Sequence, residues 1–182
     1  WQGETTLRET IAKSRNIPAI LLAEAVGMDE LAGRWRDLGL TGAISLPSAA
    51  LGAFEGTPLE LAGAYTAVPG AGIRVEPRLI LGVEGVADED RWEAPEHATR
   101  FASPRAAFLT QELLKEVVKS GTGRKLSSYG LSGELGGKTG TTDEARDAWF
   151  VGFTRDVVIA VWVGQDQGEA LGLGGATAAL PI

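Results

Sequence analysis

Hydrophobic and polar positions alternate with two different periods along this chain, and the change of period falls near Glu134. Before it, apolar residues recur every three to four positions, the spacing that lets a helix bury one face. Segment 4–39 reads as helices. Thr6 and Glu9 have capping-box spacing, "IPAILLAEAVG" closes on Gly27, and Leu31, Trp35 and Leu38 share one face of "DELAGRWRDLGL". A second start is written in "GTPLELAGAYTAV", where Thr57 caps, Pro58 suits the first helical position and Glu60 completes the box. The clearest helix is "SPRAAFLTQELLKEVVKSG", with cap Ser103, Pro104, apolar Phe108, Leu109, Leu113 and Val117, and a stop at Gly121.

From Glu134 onward the pattern belongs to strands: "ELGGKTGTT", "DAWFVGFT" and "DVVIAVWVG". A short turn at Arg155-Asp156 joins the last two, so the three predict an antiparallel meander. Residues 71–86 predict extended chain from their Val, Ile and Leu content, and the acidic, Pro-containing stretch 87–103 predicts a surface loop. The tail "GLGGATAALPI" predicts a Gly-rich loop entering a helix that stops after one or two turns. The whole is one domain of α/β (α+β) class, its helical part packed on an antiparallel sheet.

Composition narrows the chemistry. With 182 residues, 44% of them hydrophobic, the chain suffices for a core, and its net charge of −7 argues against nucleic acid or an anionic membrane as partner. No apolar run approaches the roughly eighteen residues of a membrane span, and "WQGETTLRET" lacks the layout of a signal peptide. Cysteine is absent and His97 stands alone in a polar stretch, so no metal and no cofactor are expected.

Two short motifs carry chemistry. Lys138-Thr139-Gly140, followed by Thr141, sets a lysine and hydroxyls at a strand edge, suited to holding a carboxylate and biasing nearby proton transfers. Gly140 would let a substrate approach the backbone closely. The plain alternative is a strand-to-turn junction with a solvated Lys138 and a bulge at Gly140. Ser14-Arg15-Asn16 lies at a helix boundary, where a hydroxyl and a carboxamide two residues apart can point into one cleft. Its plain alternative is that Ser14 or Asn16 caps the next helix before Pro18.

Together the motifs resemble the Ser-x-Asn and Lys-Thr-Gly signatures of penicillin-binding proteins and related β-lactamases. The segments "KSRNIPAILLAEAVG", "LPSAALGAFEGTPLELAGAYTAVPGAG", "VVKSGTGRKL", "GKTGTTDEARDAWFVGFTRDVVIAVWVG" and "GLGGATAALPI" look like successive parts of the transpeptidase domain of class A penicillin-binding proteins. The resemblance implies the penicillin-recognising serine transpeptidase fold. It implies a peptidoglycan DD-transpeptidase that cross-links stem peptides ending in D-alanyl-D-alanine and is acylated by β-lactams. By the same resemblance Ser14 serves proton relay to the leaving amine and Asn16 bonds the substrate's side-chain amide. Lys138 positions the terminal carboxylate and supports proton movement, with Thr139 and Thr141 offering hydroxyls to it. The Thr141 amide forms half of an oxyanion hole.

One part of the family pattern is missing. None of the serines here has a lysine three residues on, so there is no Ser-x-x-Lys nucleophile motif, which in the family lies upstream of Ser-x-Asn. The chain is therefore expected to be a partial domain, 1–182, incomplete at both ends and inactive alone. Its last strand would lack a neighbour, an aggregation hazard. The missing N-terminal part of the same domain would complete the sheet. A membrane anchor, with the domain on the periplasmic or extracellular side, is implied only for parts of the parent not in this chain. Two rivals stay open: a DD-carboxypeptidase or β-lactamase that passes the acyl group to water, and a non-catalytic module that binds muropeptides or β-lactams.

Smaller features read plainly. "GTGRKL" follows a helix and lacks the ending of a phosphate loop, so it predicts a helix-stop loop. Trp149, Phe150 and Trp162 predict sheet core, and Asp143, Glu144, Arg146 and Asp147 a solvated hairpin cluster.

Overall fold

Among the residues that the computed structural model describes, 3–85, 91–131 and 133–182, the caps decide where the helices begin. α1 (Leu7–Ala12) starts at Thr6, whose hydroxyl accepts the Glu9 N–H at 3.2 Å. α2 (Asn16–Val26) ends at Gly27, whose φ of 106° no side chain would favour, and α3 (Met28–Asp37) follows at once, with Trp35 stacked on Phe54 at 5.9 Å. α4 (Pro58–Tyr65) carries the complete reciprocal box. Glu60 N–H donates to Thr57 Oγ1 at 3.2 Å and Thr57 N–H to Glu60 Oε2 at 2.8 Å. A further 2.6 Å bond from the Thr41 hydroxyl, aided by the Thr57 amide, pushes the Glu60 carboxyl down to about 2.

α5 (Pro104–Lys119) is capped by Ser103 as expected, but its inward stripe is Ala107, Leu114, Val117 and Val118. Phe108 and Leu109 are more than half exposed, which corrects the expected apolar face. At about 100° per residue they lie one and two steps round from Ala107, off the stripe that meets the sheet.

The sheet is the expected meander. Its strands are β5 (Gly136–Thr141), β6 (Ala148–Phe153) and β7 (Val158–Val163), in the order β5-β6-β7, with Lys138 opposite Val151 and Thr139 opposite Phe150. Alternation along β6 sends Phe150 and Phe153 to opposite faces, and each anchors an apolar cluster. Phe150 packs with Val118, Leu126, Ala148, Ala179 and Leu180, while Phe153 packs with Leu114, Val117, Ile11, Tyr65 and Val68. Of the three aromatic residues expected in the core, only Phe150 is buried. Trp149 is half-buried and Trp162 is exposed, their rings 6.2 Å apart.

The C-terminal tail forms turns and not the expected helix. Its amides reach back three, four and five residues in succession, as from Thr177 and Ala178 to the Gly174 carbonyl and from Leu180 to that of Gly175, so no ring repeats. It still buries Ala179 and Leu180 against the sheet.

Earlier in the chain, β1 (Ile73–Val75), β2 (Gly82–Val83), β3 (Trp92–Glu93) and β4 (Ala98–Arg100) form a two-stranded arm. β4 pairs with β1, and β3 with β2. The expectation of a loop at 87–103 is thus corrected for its described part, while residues 87–90 lie outside the described residues. Backbone pairing alone recruits these strands: every residue of β2, β3 and β4 is exposed, so no apolar alternation marks them. Among the described residues no helix is long and apolar enough to cross a membrane.

Candidate active site

Ser14 stands where α1 stops and α2 has not begun. Its φ is 52°, in the left-handed region, a conformation that costs a non-glycine residue about 1 kcal/mol or more. Arg15 takes the N-cap position of α2 and makes no side-chain cap bond, so neither Ser14 nor Asn16 serves as a cap. The strained turn instead aims the Ser14 hydroxyl at β5. There Lys138 Nζ donates to Ser14 Oγ at 2.7 Å, across 124 residues of sequence, and to the Thr139 carbonyl at 2.8 Å.

Both of these partners are neutral. Burial without a compensating carboxylate pushes the Lys138 amine down from its ordinary 10.5 to about 8. Roughly a tenth of the molecules then carry an uncharged amine at neutral pH. An amine that readily loses its proton, held in contact with a hydroxyl, can pass a proton in either direction. The solvated lysine of the plain alternative is not what the structure contains. Nor is a bulge at Gly140, because β5 and β6 pair without interruption from Gly136 to Thr141.

Thr139 is buried, and its hydroxyl shares a hydrogen bond of 2.6 Å with that of Thr122. The loop after α5 brings Thr122 there. Its N–H donates to the Ala12 carbonyl at 3.1 Å, and a Cβ on Gly121 would lie 2.2 Å from that same oxygen, so only glycine lets the loop lie against the end of α1. Residues 12–14, 121–122 and 138–139 are thereby tied together.

At the far end of β5, Thr141 Oγ1 accepts the Gly175 N–H at 2.9 Å. A Cβ on Gly175 would sit 2.3 Å from the Trp149 carbonyl oxygen and 2.4 Å from that of Gly140. The tail therefore reaches Gly140 closely from within the molecule. With an acceptor position filled, the Thr141 hydroxyl keeps its proton to donate, and the residue is exposed. β5 is an outer strand of its sheet, as is β7, which leaves it one backbone edge to receive an extended peptide.

The structure thus brings Ser14, Lys138, Thr139, Gly140 and Thr141 onto one strip. Asn16 is joined to them only through the Ser14 turn. It lines an open groove of about 730 Å³ with Thr5, Ile17 and Leu21. Thr122 and Gly175 escaped the sequence reading, although a hydroxyl between glycines in "SGTG" and the pair Gly174-Gly175 were signals of tight backbone approach. Asp147 was expected in a solvated cluster, but it braces the hairpin. It accepts from Trp162 Nε1 at 2.9 Å and from the Thr142 hydroxyl at 3.2 Å. Glu144 and Arg146 do form an exposed ion pair.

Comparison with known proteins finds a family and relatives over nearly the whole chain. The family described as Penicillin binding protein transpeptidase domain matches residues 1–180. The chain is 32% identical over 184 residues to penicillin-binding protein 1B of Vibrio cholerae, and 34% identical over 192 residues to penicillin-binding protein 1A of Neisseria cinerea. Each alignment covers 100% of this chain and 24% of the relative, so the chain spans about a quarter of the length of these curated relatives. The crystal structure of penicillin-binding protein 1A from Haemophilus influenzae superposes with a TM-score of 0.88 at 26% identity, over 97% of this chain and 33% of that one. The imipenem acyl-enzyme complex of penicillin-binding protein A from M. tuberculosis shares the fold, with a TM-score of 0.73 at 24% identity over 94% of this chain and 46% of that one.

Proposed function

The chain belongs to the family of penicillin-binding protein transpeptidase domains, and on that footing we propose that it supplies the proton-transfer and substrate-holding half of a peptidoglycan DD-transpeptidase. The observation that carries this reading is the 2.7 Å contact between Lys138 Nζ and Ser14 Oγ, with the amine already lowered by burial.

In the proposed reaction a serine supplied by sequence outside these 182 residues attacks the carbonyl of the penultimate D-alanine. The amide C–N bond breaks, and Ser14 passes a proton to the departing D-alanine amine with Lys138 as the adjoining proton reservoir. An amine of a neighbouring stem then attacks the acyl ester, and the serine regains its proton. Thr139 and Thr141 hold the terminal carboxylate, the Thr141 amide donates to the developing oxyanion, and Asn16 bonds the stem's amide. A β-lactam, whose ring amide opens in the same first step, would stop at the ester.

Residues 1–182 are proposed as part of one transpeptidase domain, whose sheet further chain would extend beyond β7. Exposed Val157, Ile159 and Trp162 in and beside β7 support an apolar neighbour there, and exposed Ile17, Leu21 and Leu22 on α2 form a second apolar surface. The proposed setting is the outer side of a bacterial membrane, with the anchor elsewhere in the protein.

Intact-mass spectra after incubation with a penicillin test the reading, taken on this chain and on a polypeptide extended upstream to include a Ser-x-x-Lys motif. The extended protein is expected to gain one penicilloyl mass and this chain none. Acylation of neither would favour the non-catalytic binding module, and acylation of the 182 residues alone would place the nucleophile within them.

A further inference from the structure

Beside the β5 strip lies a second cavity, of about 360 Å³, lined by Lys13, Gly121, Thr122, Arg124, Lys125 and Ala176. Its walls come from the end of α1, the loop after α5, the helical turn that follows that loop, and the C-terminal tail. The same contacts that build the strip assemble it. Gly121 lies against Ala12, which sets Lys13 beside the loop, and Ala176 follows the Gly175 that holds Thr141.

The charge of this cavity runs against that of the molecule. In a chain of net charge −7, three cations and no carboxylate line it. Among the described residues no acidic side chain pairs with Lys13, Arg124 or Lys125, so their charges are not neutralised there. Lys13 is fixed by a 2.9 Å bond to the Ser120 carbonyl, which leaves its other N–H groups free to donate elsewhere. The amides of Gly121, Thr122, Gly123 and Arg124 are all spent on backbone carbonyls, so anion recognition here falls to the side chains. Converging cations in a concave site concentrate the field and favour a charge-assisted bond to a carboxylate. The volume suits one residue of a peptide and excludes a folded partner.

We propose that this cavity is an anion subsite of the transpeptidase strip, taking a side-chain or branch carboxylate of the stem peptide whose terminal carboxylate is held on β5. Thr122 is the link, since it lines the cavity and bonds Thr139. The inference rests on the function proposed above, and it adds a preference for acidic over amidated stems.

Fluorescence anisotropy on the full-length protein tests it, with a labelled peptide ending in D-alanyl-D-alanine that carries one free side-chain carboxylate, against the same peptide amidated there. The acidic peptide is expected to bind at least about tenfold tighter, an advantage that shrinks as salt is raised. The double variant Arg124→Gln, Lys125→Gln is expected to lose that preference, whereas Arg91→Gln with Arg155→Gln, an equal loss of charge elsewhere, keeps it. Equal affinity for the two peptides, or a preference that survives in the first variant, overturns the subsite. Penicilloylation of the wild-type protein is followed in parallel, and its absence would overturn the transpeptidase reading and not the anion subsite.

Discussion

The meander β5-β6-β7 and the arm β1 to β4 are both antiparallel, yet they are held together in opposite ways. The meander is covered on both faces and gathers contacts from distant sequence: Ser14 to Lys138, Thr122 to Thr139, and Gly175 to Thr141. The arm is anchored at β1, where the Val75 N–H donates to Thr66 Oγ1 at 2.8 Å, and further out its strands of two or three residues pair with each other and leave Leu79 and Leu81 largely exposed. Precision follows from the first arrangement. A side chain fixed by packing and by partners remote in sequence holds its reacting atom in place, whereas a self-paired arm can vary without disturbing the site.

The contrast is sharpest in stability. Phe150→Ala, which empties the centre of one cluster, is expected to cost about 3–5 kcal/mol by urea unfolding of the extended protein. Leu79→Ala in the arm is expected to stay within about 0.5 kcal/mol. Equal losses at both positions would erase the distinction.

Gly175→Ala comes next. Its new methyl would collide with the Trp149 and Gly140 carbonyls, at a cost of about 1–3 kcal/mol. Displacing the tail also frees Thr141, so penicilloylation is expected to slow by about tenfold, against no change for Gly33→Ala on α3, whose Cβ would meet nothing. An unaffected rate in Gly175→Ala would detach the tail from the site. Thr57→Ala, at the start of α4, should remove a cap worth about 1 kcal/mol, read from the same unfolding curves.

The remaining effect is a slope with pH. The folded protein holds Lys138 near 8 against an ordinary 10.5, so between these values the unfolded chain binds more protons and stability rises with pH. This contribution is complete above about 10.5 and lost as pH falls through about 8. Subtracting the curve of Lys138→Met should reveal the rise, and parallel curves would mean the amine titrates normally.

Much of this was legible in the sequence because it is written locally. The caps at Thr57 and Ser103, the stop at Gly27 and the change of period near Glu134 each depend on a few adjacent residues. Ser14, Lys138, Thr139 and Thr141 were legible as motifs, but their contacts were not. Nothing in "SRN" indicates a left-handed serine, whose turn is closed by the Arg15 N–H bonding the Thr10 carbonyl at 2.9 Å, and nothing in "SGTG" indicates that Thr122 meets Thr139, which follows from Gly121 docking on α1. The arm was hidden for a different reason: strands paired only by backbone, with every side chain of β2, β3 and β4 exposed, leave no period to read.

On the proposed mechanism Lys138 moves a proton and does not merely supply charge. Arginine keeps the charge and cannot release it at accessible pH, so Lys138→Arg separates the two roles. The measurement is the second-order rate constant for penicilloylation of the extended protein carrying Lys138→Arg, alongside circular dichroism to verify its fold. A folded variant slowed by about a hundredfold or more is the expected result; a folded variant that reacts at the wild-type rate would contradict the account.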